Sequence, residues 1–177
     1  VSVNGYPSAR INRNLIWSAQ QQNNLQQVIL QTQGDVVKMG VAMDNTVSNG
    51  VVNLKLKVGY VESFSNLKIV VYVLENGLVY PQENYTPFYG GLPIISNFVH
   101  NHTLRSCTTN LLGDAIPNLT TSSGLLNTFT KDFTFPVPSN VANVANIEFV
   151  AFVLNSNGTA INSRKALPNT VQILEQL

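Results

Sequence analysis

Both histidines of the chain, His100 and His102, fall two residues apart in the segment Phe98-Val99-His100-Asn101-His102-Thr103-Leu104-Arg105. The segment reads as a strand, and side chains two apart on a strand project from the same face. Two imidazoles on one face can do one of two things. They can supply two ligands to a metal ion, with a third from a neighbouring strand. Or they can hydrogen-bond the backbone and Asn groups of an adjoining loop, with Asn101 facing the other way and Arg105 lying against an acid such as Glu75 or Asp114. Carboxylates are scarce, nine Asp and Glu in 177 residues. A functional metal site needs at least three ligands, so this scarcity favours the structural role and no cofactor is expected.

Other reactive groups are few. Cys107 is the single cysteine, so it forms no disulfide within the chain and reads as a structural thiol. It is five residues from His102, which places the two on opposite faces of an ideal strand and gives no thiol–imidazole pair. No G-x-S-x-G, H-E-x-x-H, P-loop or G-x-G-x-x-G occurs, and no carboxylate pair has the setting for glycoside hydrolysis. Ser8 has no adjacent base. No catalytic residue is therefore assigned. A candidate ligand-binding surface lies in Tyr85, Phe88 and Tyr89, beside Tyr80 and the pair Gly90-Gly91. These rings could stack on a sugar or a peptide, or they could close one end of the fold. The sequons at Asn84, Asn101, Asn118 and Asn157 arise readily in a chain this rich in Asn and Thr, and are not read as glycan sites.

These residues need a scaffold, and composition bounds it. Hydrophobic residues make up 44% and charged residues only 11%, against roughly 25% charged in an average soluble protein. The net charge is +1, and no Lys/Arg cluster exists to follow a phosphate backbone, which excludes nucleic acid as a partner. No apolar run reaches the length of a membrane-spanning helix. The chain opens at Val1 without a Met or a signal peptide, as a fragment or a processed chain would.

One helix is expected near the N-terminus, capped by Ser18, with Leu25, Val28 and Ile29 on one face and Gly34-Asp35 as its stop. From Val36 onward the period is two. Val52, Leu54, Leu56, Val58 and Tyr60 alternate with polar positions, as in a half-buried antiparallel strand. Residues 67–75 form a more continuous apolar run, expected central in a sheet, followed by a tight-turn signal at Asn76-Gly77. Residues 78–82 return as an edge strand marked by Pro81. Residues 83–96 read as a long connection, and residues 98–108 as the strand that carries the histidines. An alternating run follows over residues 125–135, then the most apolar strand at residues 147–154. Asn155 to Gly158 turns that strand into a partner at residues 161–167. Seven or eight such strands with one N-terminal helix predict a mainly β chain, an antiparallel β-sandwich of jelly-roll-like or Ig-like form.

Four blocks of the sequence also resemble one family. Residues 98–105 resemble its Y-x-H-N-H-x-L-R block. Leu74-Glu75-Asn76-Gly77 with Gln82 is similar to its strand–turn–strand block. Glu148-Phe149-Val150-Ala151-Phe152-Val153, followed by Ala160-Ile161-Asn162, is similar to its last hairpin. Gly5-Tyr6-Pro7-Ser8-Ala9-Arg10-Ile11-Asn12-Arg13 resembles the G-x-P-T-x-x-x-N-R segment that ends its thioredoxin-like domain. The family is that of exported outer-membrane proteins from Bacteroidetes named for a size of about twenty-eight kilodaltons.

The resemblance implies that residues 1–33 are the tail of a thioredoxin-like domain (strand plus helix), with Pro7 cis, and that residues 34–177 are the β-sandwich domain. It marks Pro7, His100, Asn101, His102 and Arg105 as a structural motif. It implies location at the outer membrane or cell surface, or in the periplasm. Membrane association would come only through a lipid anchor N-terminal to this sequence. The function expected first is non-catalytic binding or assembly, with a cell-surface or periplasmic protein or a glycan as partner. A second reading is an accessory domain that positions substrate for a thioredoxin-like oxidoreductase whose Cys-x-x-Cys lies upstream. A third is a carbohydrate- or metal-binding module.

Overall fold

A computed structural model describes residues 8–17, 25–32, 34, 36–121 and 126–175 of the protein. In chain order its strands are β1 (Arg10–Ile11), β2 (Leu15–Ile16), β3 (Met39–Ser48), β4 (Val51–Tyr60), β5 (Lys68–Glu75), β6 (Leu78–Glu83), β7 (Ile94–His100), β8 (Thr103–Cys107), β9 (Asp114–Ala115), β10 (Asn127–Pro136), β11 (Ile147–Leu154) and β12 (Ala160–Ala166). One helix, α1 (Leu25–Thr32), lies between β2 and β3.

Alternation of side chains across each strand sets the core. In β4, Val52, Leu54, Leu56, Val58 and Tyr60 are buried, while Asn53 and Lys55 face solvent. β4 pairs antiparallel with β3 on one side and β10 on the other, making a three-stranded sheet. The second sheet has five strands in the order β12–β11–β5–β8, with β9 beside the start of β5. Ile69, Val71, Val73, Ile147, Phe149, Ala151 and Val153 form its inner face. They pack into one cluster with the inward residues of β3 and β4. Phe135 of one sheet and Phe149 of the other meet edge-to-face, centroids 6.5 Å apart. The eight strands are a mainly β, antiparallel sandwich, as the period-two pattern predicts.

One edge of the sandwich is sealed by side chains. Asn162 Nδ2 donates to the Met39 carbonyl at 2.6 Å, Arg164 Nη1 to the Val41 carbonyl at 3.2 Å, and Asn45 Nδ2 to the Leu167 carbonyl at 3.0 Å. The segment after β12 runs along β3, with the Gln172 N–H on the Met43 carbonyl. An edge strand otherwise presents unpaired backbone groups; these bonds satisfy part of that of β3. Ala42, outside the central cluster, is fully buried on the same strand.

The outer face of the five-stranded sheet carries a smaller cluster of Val70, Phe152 and Leu154, with Tyr72, Cys107, Val150 and Ala160 against it. The N-terminal segment touches this face. The Ala160 N–H donates to the Asn12 carbonyl at 3.0 Å, and the Arg13 guanidinium lies 5.5 Å from the centre of the Phe152 ring. Helix α1 ends before Gly34, whose φ of +82° suits the left-handed stop expected there. Val28 and Ile29 on the expected apolar face are exposed. The Ser18 cap, Pro7 and the side chain of Leu25 lie outside the described residues.

Two expectations about the middle of the chain are corrected. Asn76-Gly77 is not a hairpin turn. β5 belongs to the five-stranded sheet, whereas β6 pairs only with β7 in a two-stranded sheet of its own. Gly77, with φ +74°, turns the chain out of the sandwich. The predicted long connection is also shorter, because β7 begins at Ile94 and pairs with Glu83. Pro81, read as an edge marker, lies at the irregularity in that pairing between Tyr80 and Gln82.

A glycine pair tests this packing. Gly113 (φ +91°) has no room for a Cβ, which would meet Lys68 Cβ at 2.9 Å and the Ile69 carbonyl at 3.2 Å. Gly50 (φ +74°) has open space around it. In urea unfolding, Gly50→Ala should cost only the backbone strain, about 1 kcal/mol, and Gly113→Ala clearly more, about 2–4 kcal/mol.

Candidate functional site

The segment around the histidines is two strands, not one. β7 ends at His100, β8 starts at Thr103, and His102 between them has a left-handed backbone, φ +55°. The shared face expected for the two imidazoles therefore does not form, because a φ of that sign breaks the alternation of a strand. Each histidine has its own neighbours. His100 lies in the two-stranded sheet, opposite Leu78. Its ring packs edge-on to Phe98 at 4.9 Å and near Tyr80 at 6.4 Å. His100 Nε2 is sealed from solvent without a hydrogen-bond partner, so this ring acts as an aromatic spacer. His102 instead bonds through Nδ1 to Glu148 Oε1.

Asn101, His102 and Arg105 converge on the corner where the chain leaves β5. The Gly77 N–H donates to Asn101 Oδ1 at 3.0 Å, and the His102 N–H donates to Asn76 Oδ1 at 2.8 Å. Arg105 Nε donates to Glu75 Oε2 at 2.6 Å, one of the two acids expected for it, and not to Asp114. The two amides of Ala142 and Asn143 add bonds to the same carboxylate at 3.1 and 2.6 Å. Glu75 is fully buried and Arg105 is 15% exposed. A buried carboxylate is tolerated only with its lone pairs filled, and here three donors fill them.

A second buried acid went unrecognised in the sequence. Glu148 is 2% exposed and is held by His102 and by Lys165 Nζ at 3.4 Å. Glu148 pairs with Leu74, and Glu75 with Ile147. The two acids therefore leave opposite faces of the sheet, Glu75 on the core side and Glu148 on the outer side. Its signal was present: a lone charge inside the most apolar run of the chain must find a partner.

Electrostatics agree with this geometry. Burial pushes the Glu75 carboxyl up, but the Arg105 bond and the Asn143 and Ala142 amides outweigh it and hold it below the ordinary 4.5. Burial likewise pushes Glu148 up, and hydrogen bonds from His102 and Asn76, with the charges of His102 and Lys165, bring it below 4.5. Neither acid is in a position to serve as a general acid near neutral pH. Among the described residues, no three of His, Cys, Asp and Glu gather closely enough to hold a metal ion. Cys107 is half-buried, its Sγ 3.5 Å from Thr109 Oγ1.

Tyr85, Phe88 and Tyr89 do not close an end of the sandwich. They stand at the tip of the β6–β7 hairpin and are 88%, 66% and 61% exposed. Apart from Leu78, no residue of the two strands is buried. The tip is nonetheless ordered around one side chain. Asn84 Nδ2 donates to the carbonyls of Phe88 and Leu92 at 2.9 and 3.0 Å, and Asn84 Oδ1 accepts from the Thr86 N–H at 3.0 Å. Tyr89, Gly90 and Gly91 are all left-handed, which bends the loop back to β7. The Tyr85 hydroxyl donates to Glu83.

Among the described residues, no helix is long and apolar enough to cross a membrane. The family model for outer membrane protein Omp28 matches residues 1–172. No curated protein matches the sequence. A solved structure, HBP35 of Porphyromonas gingivalis, is similar in fold with a TM-score of 0.65 at 18% identity. The likeness covers 100% of this chain and 59% of that one.

The two histidines should separate on mutation. His102→Asn, which tolerates the left-handed backbone, should cost about 1–3 kcal/mol in urea unfolding because it takes one partner from a buried carboxylate. His100→Phe should be neutral or stabilising by up to about 1 kcal/mol, since it removes an unsatisfied polar atom. The buried acids set the pH dependence. Their folded pKa values are lowered, so their stabilisation is complete above about 4.5 and is lost as pH falls through the lower folded values. Glu75→Gln should cost about 3–5 kcal/mol at neutral pH and flatten that acid limb in a pH series of thermal melts.

Proposed function

The chain belongs to the Omp28 family of outer membrane proteins, and on that premise we propose that it is a non-catalytic recognition domain carrying its binding surface on the β6–β7 hairpin. The observation behind this is the exposure of Tyr85, Phe88 and Tyr89 on an ordered tip away from the core. Ordered aromatic side chains give large contact area at low entropic cost when they bind. The sandwich serves as a rigid mount, and the Glu75 and Glu148 clamps fix the hairpin's root. The reading takes a cell-surface or periplasmic protein or a glycan as partner. No reacting group is needed for it, in keeping with one histidine committed to packing and the other to a hydrogen bond with Glu148.

A second reading has one observation in its favour. Asn12 and Arg13 hold the N-terminal segment to the outer face of the five-stranded sheet. A domain preceding residue 1 would then be tethered beside that face. If residues 1–33 are the tail of a thioredoxin-like domain, the sandwich would position substrate for it. A Cys-x-x-Cys encoded upstream of Val1 supports this reading, and its absence removes it.

The first reading is tested by capture on immobilised outer-membrane protein and glycan fractions. The combined variant Tyr85→Ser, Phe88→Ser, Tyr89→Ser should lose about tenfold or more in apparent affinity, as for interface hot spots. Its melting temperature should stay within about 3 °C of the parent, because exposed side chains contribute little to stability. Unchanged capture would remove the hairpin from the function.

A further inference from the structure

Beyond its root, where Leu78 is buried and His100 Nε2 is sealed from solvent, the β6–β7 hairpin is largely open on both faces. One face carries an aromatic ladder of Tyr80, His100, Phe98 and Tyr89. The other carries the cross-strand pair Val79 and Val99, 54% and 50% exposed. A two-stranded hairpin with no third strand or covering layer is marginal in water. Surfaces of this kind mark contact with a partner or a membrane.

Three features bear on which partner. Between Glu83 and Arg105 the sequence contains no Asp, Glu, Lys or Arg, so the tip and the whole of β7 are without formal charge except through histidine. The outermost residues are Tyr85, Phe88, Tyr89, Leu92 and Ile94, the mixture of amphipathic rings and aliphatic groups that favours a membrane–water interface. The tip also bonds much of its own backbone internally. Asn84 binds the Phe88 and Leu92 carbonyls, its N–H meets the Pro93 carbonyl, and the Gly91 N–H meets the Phe88 carbonyl. Backbone polar groups left open would be costly in lipid, where water cannot satisfy them.

We propose that the tip of this hairpin, residues 84–94, inserts shallowly into the lipid interface and seats the domain on a membrane surface. This goes beyond the recognition reading above: it shares the exposed tip and assigns it a lipid surface in place of a protein or glycan. Glu83, beside Ile94 at the end of the strand pair and bonded to the Tyr85 hydroxyl, sets the depth: its carboxylate stays among the headgroups while Phe88 and Leu92 pass them. With no cation at the tip, attachment comes from apolar burial and not from attraction to anionic lipid.

Flotation of the 177-residue protein with phosphatidylcholine vesicles tests this. The parent protein should float with neutral vesicles, equally at low and high salt. Phe88→Asp, or the triple serine variant, should lower the partition coefficient about tenfold or more without shifting the thermal melt. Phe88→Trp in a Trp17→Phe background should show a blue-shifted emission quenched by lipids brominated near the headgroup. A parent protein that remains at the bottom of the gradient, or variants that float as well as it does, would overturn the proposal. If the parent does not float but the triple variant still loses capture on the protein and glycan fractions, the lipid assignment falls and the recognition reading stands. If the variant changes neither, both fall.

Discussion

Glu75 places a carboxylate where water does not reach it, at the last position of the strand before the chain turns out of the sandwich. Left alone, that charge would cost several kcal/mol in lost hydration. It is stable only because Arg105 and the amides of Ala142 and Asn143 all point at it. Three separated segments are thereby fixed together: the end of β5, the strand β8, and the connection that leads into β11. Glu148 repeats the arrangement on the opposite face of the same sheet, with His102 and Lys165 as its partners. Apolar packing would allow these segments to slide; filling the lone pairs of two buried acids does not.

These bonds give the reactive residue types of the segment a structural use. Asn101, His102 and Arg105 are each spent on a neighbour: the Gly77 amide, the Glu148 carboxylate and the Glu75 carboxylate. Removing His102 or Arg105 takes a partner from a buried carboxylate. The segment works as a lock on the strand corner. What the lock holds is the exit of the chain at Asn76-Gly77, and so the root of the β6–β7 hairpin.

The hairpin follows from that geometry. Because its root is fixed on the sandwich, its strands need not pack against anything to keep their place. Their residues are then available for contact elsewhere, and the Asn84 bonds keep the tip from collapsing. The buried acids and the exposed tip are linked in this sense: the bonds to Glu75 and Glu148 fix the root from which the tip extends.

The sequence by itself determined the sandwich, because burial on one face writes a period of two into the residues. The runs that became β4 and β10 were legible for that reason, and those of β5 and β11 as continuous apolar stretches of central strands; for Arg105 the sequence narrowed the partner to Glu75 or Asp114. The family was legible from short blocks in the right order. Tertiary structure alone decided three things. The left-handed backbone at His102 split the histidine strand, and period-two reasoning carries no information about a single residue's φ. Glu148 became a partner across 46 positions of sequence, a distance over which local pattern says nothing. Asn76-Gly77 became a corner between sheets and not a hairpin turn, because a turn signal fixes the local bend while distant strands choose what β5 and β6 pair with.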